Sequence, residues 1–184
     1  MIVILDYQPR WPREFEVLKA SLGVALGPLA ERIDHIGFTA VPGLGAKDVI
    51  DIQVTVRTLA PEITERLTAA GYEHRPTVDR DHVPKGENPD PALWRKLFFY
   101  RQELMRKVNL HARIAGHPNQ RYAILFRDYL RIHPNSAQSI ELIKREIAKR
   151  HAADEEAYYD IKDPIYDLVW EAAKEWAELT GWTL

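Results

Sequence analysis

Hydrophobic spacing changes character several times along the chain, and each change predicts an element. The apolar run Ile2 to Leu5 predicts a short buried strand. Pro12 suits a first helical position, and Phe15, Leu18, Leu22 and Leu26 recur at helical spacing as far as Gly27-Pro28, predicting a helix. The period then shortens in HIGFTAVPGLGAKDVIDIQVTV, His35 to Val56, which reads as an apolar strand, a Gly/Pro turn, a lysine and a second apolar strand. Val49, Ile50, Ile52, Val54 and Val56 surround Asp51, and such β-branched side chains fit a pleated surface better than a helix. Ile63 and Leu67, four apart and followed by Gly71, predict a helix over 61–70.

From Arg75 to Pro91 the chain is polar and broken by Pro76, Pro84, Gly86, Pro89 and Pro91, the pattern of a long loop that serves as a lid or a surface excursion. Residues 93–100 and 104–114 read as paired strands. In the second, Val108, Leu110 and Ala112 alternate with Asn109, His111 and Arg113, so one face is polar. Helices are expected over 118–132 and 136–150, with a third starting at Asp154 or Glu155. Pro164 is expected to divide that one from a last helix whose stripe Ile165, Leu168, Val169, Ala172, Trp176 and Leu179 is packing surface. No repeat, low-complexity segment or linker interrupts this order. The prediction is one α+β domain over residues 1–184, a small mixed sheet packed by helices with a helical C-terminal third.

Composition narrows the function classes. With 46% hydrophobic residues, 28% charged residues and a net charge of -2, the 184-residue chain lacks the basic excess of a general nucleic-acid or membrane-surface binder, although a local basic pocket is compatible with it. The absence of cysteine excludes a disulfide framework and thiolate metal sites. Five apolar residues before Asp6 are too few for a signal sequence or a membrane span, so a cytoplasmic location is expected. The five tryptophans are scattered and form no ladder for single-stranded nucleic acid.

Two groups of residues are candidates for chemistry. Pro42, Gly43 and Gly45 let the backbone turn and offer amide N–H groups to an anion, with Lys47 directly after them. Arg127 and Arg131 share a helical face, and Lys144 and Lys162 can join them; four cations aimed at one cleft suit a polyphosphate or a carboxylate-bearing substrate. The plainer alternative is a solvated face held by ion pairs, for example Asp128 with Arg131.

The block HIGFTAVPGLGAKDVIDIQVTV, together with YQPRWPREF (Tyr7 to Phe15), NLHAR (Asn109 to Arg113), LFRDYLRIHP (Leu125 to Pro134), Lys144 and YYDIKDP (Tyr158 to Pro164), resembles the GrpB family, whose members are similar to nucleotidyltransferases in fold. The resemblance covers almost the whole chain. It implies a nucleotidyltransferase-like fold and a site at Gly37, Thr39, Lys47, Asp51, His111, Arg127, Arg131, Lys144, Tyr158 and Lys162. Enzymes of that fold hold divalent metal with two carboxylates two residues apart on a strand and a third on a neighbouring strand. Asp51 fits the first position, but Gln53 stands at the second, and Phe38 follows Gly37 where the family pattern has serine. His35, Asp51 and His111 form an alternative metal set of two imidazoles and a carboxylate, so the cofactor expected is a divalent metal, Mg²⁺ or Zn²⁺. The bland alternative is two hydrogen-bonded histidines beside a structural aspartate.

Three functions follow. In the first, a nucleoside triphosphate or a similar anionic small molecule lies between the turn and the basic helices, with Asp51 as metal ligand or general base and metal-assisted transfer as the chemistry. In the second, the chain is a non-catalytic accessory or folding domain, as implied by GrpB-like units fused to dephospho-CoA kinase. In the third, an enzyme of another type forms an amide or cyclises an amino-acid-derived substrate with His111 as base.

Overall fold

Among the described residues, five strands form one mixed sheet in the order β1-β2-β5-β4-β3. They are β1 (Arg32–Ile36), β2 (Val49–Val56), β3 (Glu73–His74), β4 (Lys96–Glu103) and β5 (Arg106–Ile114). Only β2 and β5 run parallel. The computed structural model describes residues 2–103, 106–151 and 153–184, and their side chains apart from those of 103, 155–159 and 163.

The two-residue period of the strands gives the sheet two different faces. Ile50, Ile52, Val54 and Val56 of β2, Val108, Leu110 and Ala112 of β5 and Phe99 of β4 are buried against α1 (Arg10–Leu26) and α2 (Pro61–Ala69), through Trp11, Phe15, Leu22, Leu26, Ile63 and Leu67. The opposite face carries Asp51, Gln53 and Thr55 beside Asn109, His111 and Arg113. Across it stand α3 (Pro118–Ile132), α4 (Pro134–Arg150) and α5 (Glu155–Thr180), which pack on one another around Leu125, Leu130, Ala137, Ile140, Trp170 and Ala173. Among the described residues no helix is long and apolar enough to cross a membrane.

The structure departs from the sequence pattern in five places. The strand expected at Ile2 to Leu5 is a single bridge, Leu5 with Ala46, closed by hydrogen bonds of 2.9 and 3.0 Å. The short edge strand β3 has no counterpart in the hydrophobic pattern, because two residues carry no period. Residues 93 and 94 belong to a helical turn, Pro91–Trp94, ahead of β4, and Leu104, expected in the second strand, lies outside the described residues. α5 continues through Pro164, which is exposed, so the Asp160 carbonyl that loses its intrahelical donor lies on a solvent-facing turn. The expected packing stripe of α5 holds for Ile165, Val169, Ala172 and Trp176, which pack against the core, but Leu168 and Leu179 are 73% and 79% exposed and the buried positions are Trp170, Ala173 and Ala177.

Candidate functional site

A cleft of about 620 Å³ lies between the polar face of the sheet and the helices. Asp51, Asn109, His111, Lys96 and Arg113 form its floor. Phe38, Tyr122, Phe126 and Tyr166 form an aromatic wall, and Lys47, Lys144 and Lys162 enter from the turn before β2, from α4 and from α5.

The floor is built by register. Asp51 lies beside Asn109 in the parallel β2–β5 pair, and the Asn109 Nδ2 donates to Asp51 Oδ1 at 2.9 Å. Gly37, directly after β1, has φ +70°, and a Cβ there would lie 2.6 Å from Asp51 Oδ2. Glycine is therefore required both for the left-handed backbone and for the close approach. Burial raises the Asp51 pKa, opposed by the Asn109 hydrogen bond and by the charge of Lys144.

Beside Asp51 is a network centred on Asp81, a residue of the proline-rich loop that sequence reasoning passed over. Asp81 accepts hydrogen bonds from Lys96 Nζ (2.7 Å), Arg113 Nε (2.8 Å) and Nη2 (2.9 Å), and Asn119 Nδ2 (3.0 Å). Burial alone would raise this carboxyl, but the charge and hydrogen bonds of Arg113, with Lys96, hold it well below the usual carboxylate range. Arg113 Nη1 also donates to Gln53 Oε1 at 2.6 Å, and Gln53 Nε2 donates to the Gln120 carbonyl at 3.0 Å.

This network decides the metal question on donor chemistry. The position two beyond Asp51 offers a neutral amide oxygen already engaged by a guanidinium, and a divalent ion bridging Asp51 and Gln53 would face Arg113 and Lys96. The residues do not fit a paired-metal centre. Among the described residues no group of three or more His, Asp or Glu side chains is placed to hold a metal ion.

His111 lines the cleft, but not as a strong base. Arg113 Nη2 lies 3.3 Å from His111 Nδ1, and because arginine only donates, Nδ1 is the acceptor and the proton sits on Nε2. Burial, then the charges of Arg113 and Lys96, hold its pKa well below the ordinary histidine value. His111 is therefore a neutral imidazole whose Nε2–H, without a hydrogen-bond partner among the described residues, is left to the cleft.

His35 does not join this group. It lies opposite Ile52 in the antiparallel β1–β2 pair and so points to the apolar face. There it stacks on Phe15 at 4.7 Å and shares a 2.9 Å hydrogen bond with Thr39 Oγ1. Burial, then Arg131 and Arg127, lower its pKa to about 4. The set His35, Asp51 and His111 is thus divided between the two faces of the sheet. Thr39 lines the cleft, but its hydroxyl donates to the Val49 carbonyl and is not free for a phosphate.

The basic residues also separate. Arg127 borders the cleft, yet its guanidinium donates to the His35 carbonyl (2.9 Å) and to Asp128 (2.7 Å), with Asp34 3.6 Å away. Arg131 clamps the Ala40 carbonyl with Nε (3.0 Å) and Nη2 (2.7 Å) and does not line the cleft. Both arginines fasten α3 to the β1 turn. Lys144 is different: it is 3% exposed and its Nζ sits 3.4 Å from the centre of the Phe38 ring. Burial, then the neighbouring Lys162 charge, lower its pKa to about 7. Phe38, the departure from the serine pattern, is the seat of this lysine. Lys162 Nζ lies 4.0 Å from the Tyr166 ring centre. The side chain of Tyr158 lies outside the described residues.

The sequence model described as GrpB protein matches residues 1–172. The chain belongs to the GrpB family. A dephospho-CoA kinase of Mycolicibacterium paratuberculosis is 39% identical over 95% of this chain and 46% of its own length. The UPF0157 protein BH1888 of Halalkalibacterium halodurans is 30% identical over 94% of this chain and 82% of its own length. The chain thus spans about half the length of the dephospho-CoA kinases it matches. Among solved structures, the conserved protein GrpB from Enterococcus faecalis superposes with a TM-score of 0.76 at 24% identity, covering 95% of this chain and 99% of that one. Cid1 in complex with its short product ApU gives a TM-score of 0.51 at 18% identity, over 81% of this chain and 44% of that one. The fold of this GrpB protein is accordingly nucleotidyltransferase-like.

Two stability predictions follow from the buried charges. Asp81→Asn leaves Lys96 and Arg113 unneutralised and is expected to cost roughly 3–5 kcal/mol in urea denaturation at neutral pH. Because the folded Asp81 carboxyl lies below its unfolded value of about 3.9, the stability it contributes is present above that pH and is lost as pH falls below it, so the variant should show a shallower acid decline than the parent. Lys144 has the same direction with pH but is a cost rather than a gain: between about 7 and its unfolded value of about 10.4 the unfolded chain holds a proton that the folded chain lacks, so stability rises with pH and the penalty of the buried ammonium is full below pH ~7. Lys144→Met should therefore be more stable than the parent by roughly 1–4 kcal/mol below pH ~7, with the difference shrinking toward pH ~10.

Proposed function

We propose that this GrpB protein binds an anionic small molecule, a nucleotide or a compound of similar charge, in the cleft bounded by the Gly37 turn, the Asp51 strand, α4 and α5. One observation carries this reading: the cationic groups of the cleft are unequally neutralised. Lys96 and Arg113 both pair with Asp81, whereas Lys144 has no carboxylate within ion-pair distance among the described residues and enters the cleft with the His111 Nε2–H. Donors without acceptors in a partly buried space favour a ligand that brings oxygens. The aromatic wall offers a surface for a flat part of that ligand. Cid1, related in fold, has been solved bound to MgATP, which makes nucleotides the first class to try.

Transfer chemistry run through paired metal ions draws no support from this donor set. A second reading is a non-catalytic accessory unit of a longer protein. It is favoured by the engaged Gln53 amide and by relatives in which the matching stretch is about half of a dephospho-CoA kinase. An amide-forming or cyclising enzyme with His111 as base is disfavoured, because an imidazole of lowered pKa is a weak base.

Thermal unfolding with ATP, UTP and inorganic pyrophosphate, each with Mg²⁺ and with a chelator, tests the proposal. Stabilisation that grows with ligand, reaching about 2.7 kcal/mol at a hundred times Kd, is expected without Mg²⁺ as well as with it. Lys144→Met should lose this response while starting from higher intrinsic stability. No shift with any of these anions would refute the anion site, and a shift without detectable turnover would favour the accessory reading.

A further inference from the structure

We propose that Lys144 is a nucleophilic amine that forms an imine with an anionic aldehyde or ketone held in the cleft, an inference that rests on the anion-binding reading above. Two other lysines of the same protein show what a charge-bearing lysine looks like here: Lys96 Nζ is 2.7 Å from Asp81 and Lys174 Nζ is 2.9 Å from Glu87. Lys144 has no such partner. It projects from the middle of α4 with its stem buried, and its amine rests 3.4 Å above the centre of the Phe38 ring, inside a cleft large enough for a small ligand.

An amine withdrawn from water and set near a second cation gives up its proton readily, which is how lysine is made nucleophilic near neutral pH. The charged groups that act on Lys144 come from four elements. Lys162 of α5 and Lys47 of the turn before β2 favour the free amine; Asp51 of β2 and Glu141 of α4 itself favour the ammonium. The balance after burial lies at about 7, so free amine and ammonium coexist at neutral pH. Arg13 and Lys19 of α1, by contrast, are on the opposite side of the sheet and border a separate surface hollow with His35.

Asp51 is the group that relays protons between the amine and the carbonyl oxygen. Its Oδ1 is held by Asn109, its Oδ2 is packed beside the Gly37 backbone, and burial raises its pKa, which helps it to take up and return a proton. In the first step the Lys144 lone pair attacks the carbonyl carbon, an N–C bond forms, and the Asp51 carboxylate carries a proton from the nitrogen to the carbonyl oxygen to give a carbinolamine. A second proton passes from the nitrogen to the same oxygen in the same way, and the C–O bond breaks to release water while the C=N bond forms. One amine and one carbonyl compound give one imine and one water, with no change of oxidation state. The His111 Nε2–H is placed to hold an oxygen of the ligand's carboxylate or phosphate.

The test uses glyoxylate, a carboxylate-bearing aldehyde, with cyanoborohydride to reduce any imine to a stable secondary amine, followed by peptide mapping of the full chain. At neutral pH, modification of Lys144 should exceed that of Lys149, which is 76% exposed, by about tenfold or more. Its rate should level off above pH ~8, whereas labelling of an ordinary exposed lysine amine keeps rising about tenfold per unit toward pH ~10. Pyrophosphate should slow labelling at Lys144 and leave Lys149 unchanged. Asp51→Asn should slow labelling at Lys144 and, because the carboxylate favours the ammonium, shift the plateau toward lower pH. Labelling of Lys144 no faster than Lys149, or with the same slope against pH, overturns the proposal. If pyrophosphate or ATP still stabilises the protein in that event, the imine chemistry falls and the anion site stands; if neither anion acts, both fall.

Discussion

The inner face of the sheet depends on the pairing of two buried cations, Lys96 on β4 and Arg113 on β5, with the single carboxylate of Asp81. Neither cation reaches bulk water, so removal of their partner would leave charge in a medium that stabilises it poorly. Asp81 comes from the proline-rich segment, and its placement draws that segment across the end of the cleft. The Asp81 amide donates to the Trp94 carbonyl at 2.9 Å, and the Lys96 amide donates to the Asp79 carbonyl at 2.8 Å. The segment is accordingly tied to the sheet near its middle.

The same cluster sets the chemistry of its neighbours. Arg113 engages Gln53, which removes the second donor that a metal-bridging strand would present, and it engages His111 Nδ1, which fixes the imidazole as a donor through Nε2. One guanidinium thus converts a face with the shape of a nucleotidyltransferase floor into one that offers hydrogen bonds and positive charge. Lys144 completes this arrangement from the helical side, where Phe38 takes the place of a phosphate-binding hydroxyl and gives the amine an aromatic surface.

Much of this was legible in the sequence, and the remainder had physical reasons for being hidden. The alternation in β5 is long enough to assign Asn109, His111 and Arg113 to one polar face. That this face adjoins Asp51 depends on strand pairing, which the family resemblance implied and the period does not carry. His35 was not assignable, because β1 is short and antiparallel, and a one-residue change of register moves its side chain to the other face. Arg127 and Arg131 were legible as one helical face. Their acceptors, however, are the His35 and Ala40 carbonyls, and backbone oxygens carry no residue signature. Asp81 was hidden most completely, since its partners lie 15 to 38 positions away in the chain and nothing local marks it. Pro164 misled because its cost depends on exposure, which a single sequence does not display.

The account stands on one claim: that the unneutralised donors of the cleft, rather than a metal, receive the ligand. A crystal structure grown with ATP and a metal chelator tests it most directly. The account predicts phosphate oxygens within hydrogen-bond distance of Lys144 Nζ and His111 Nε2, with Arg113 still on Gln53 and Asp81. Phosphates bound away from this cleft, or Gln53 released from Arg113 and bridged to Asp51 by a metal once one is supplied, would contradict it.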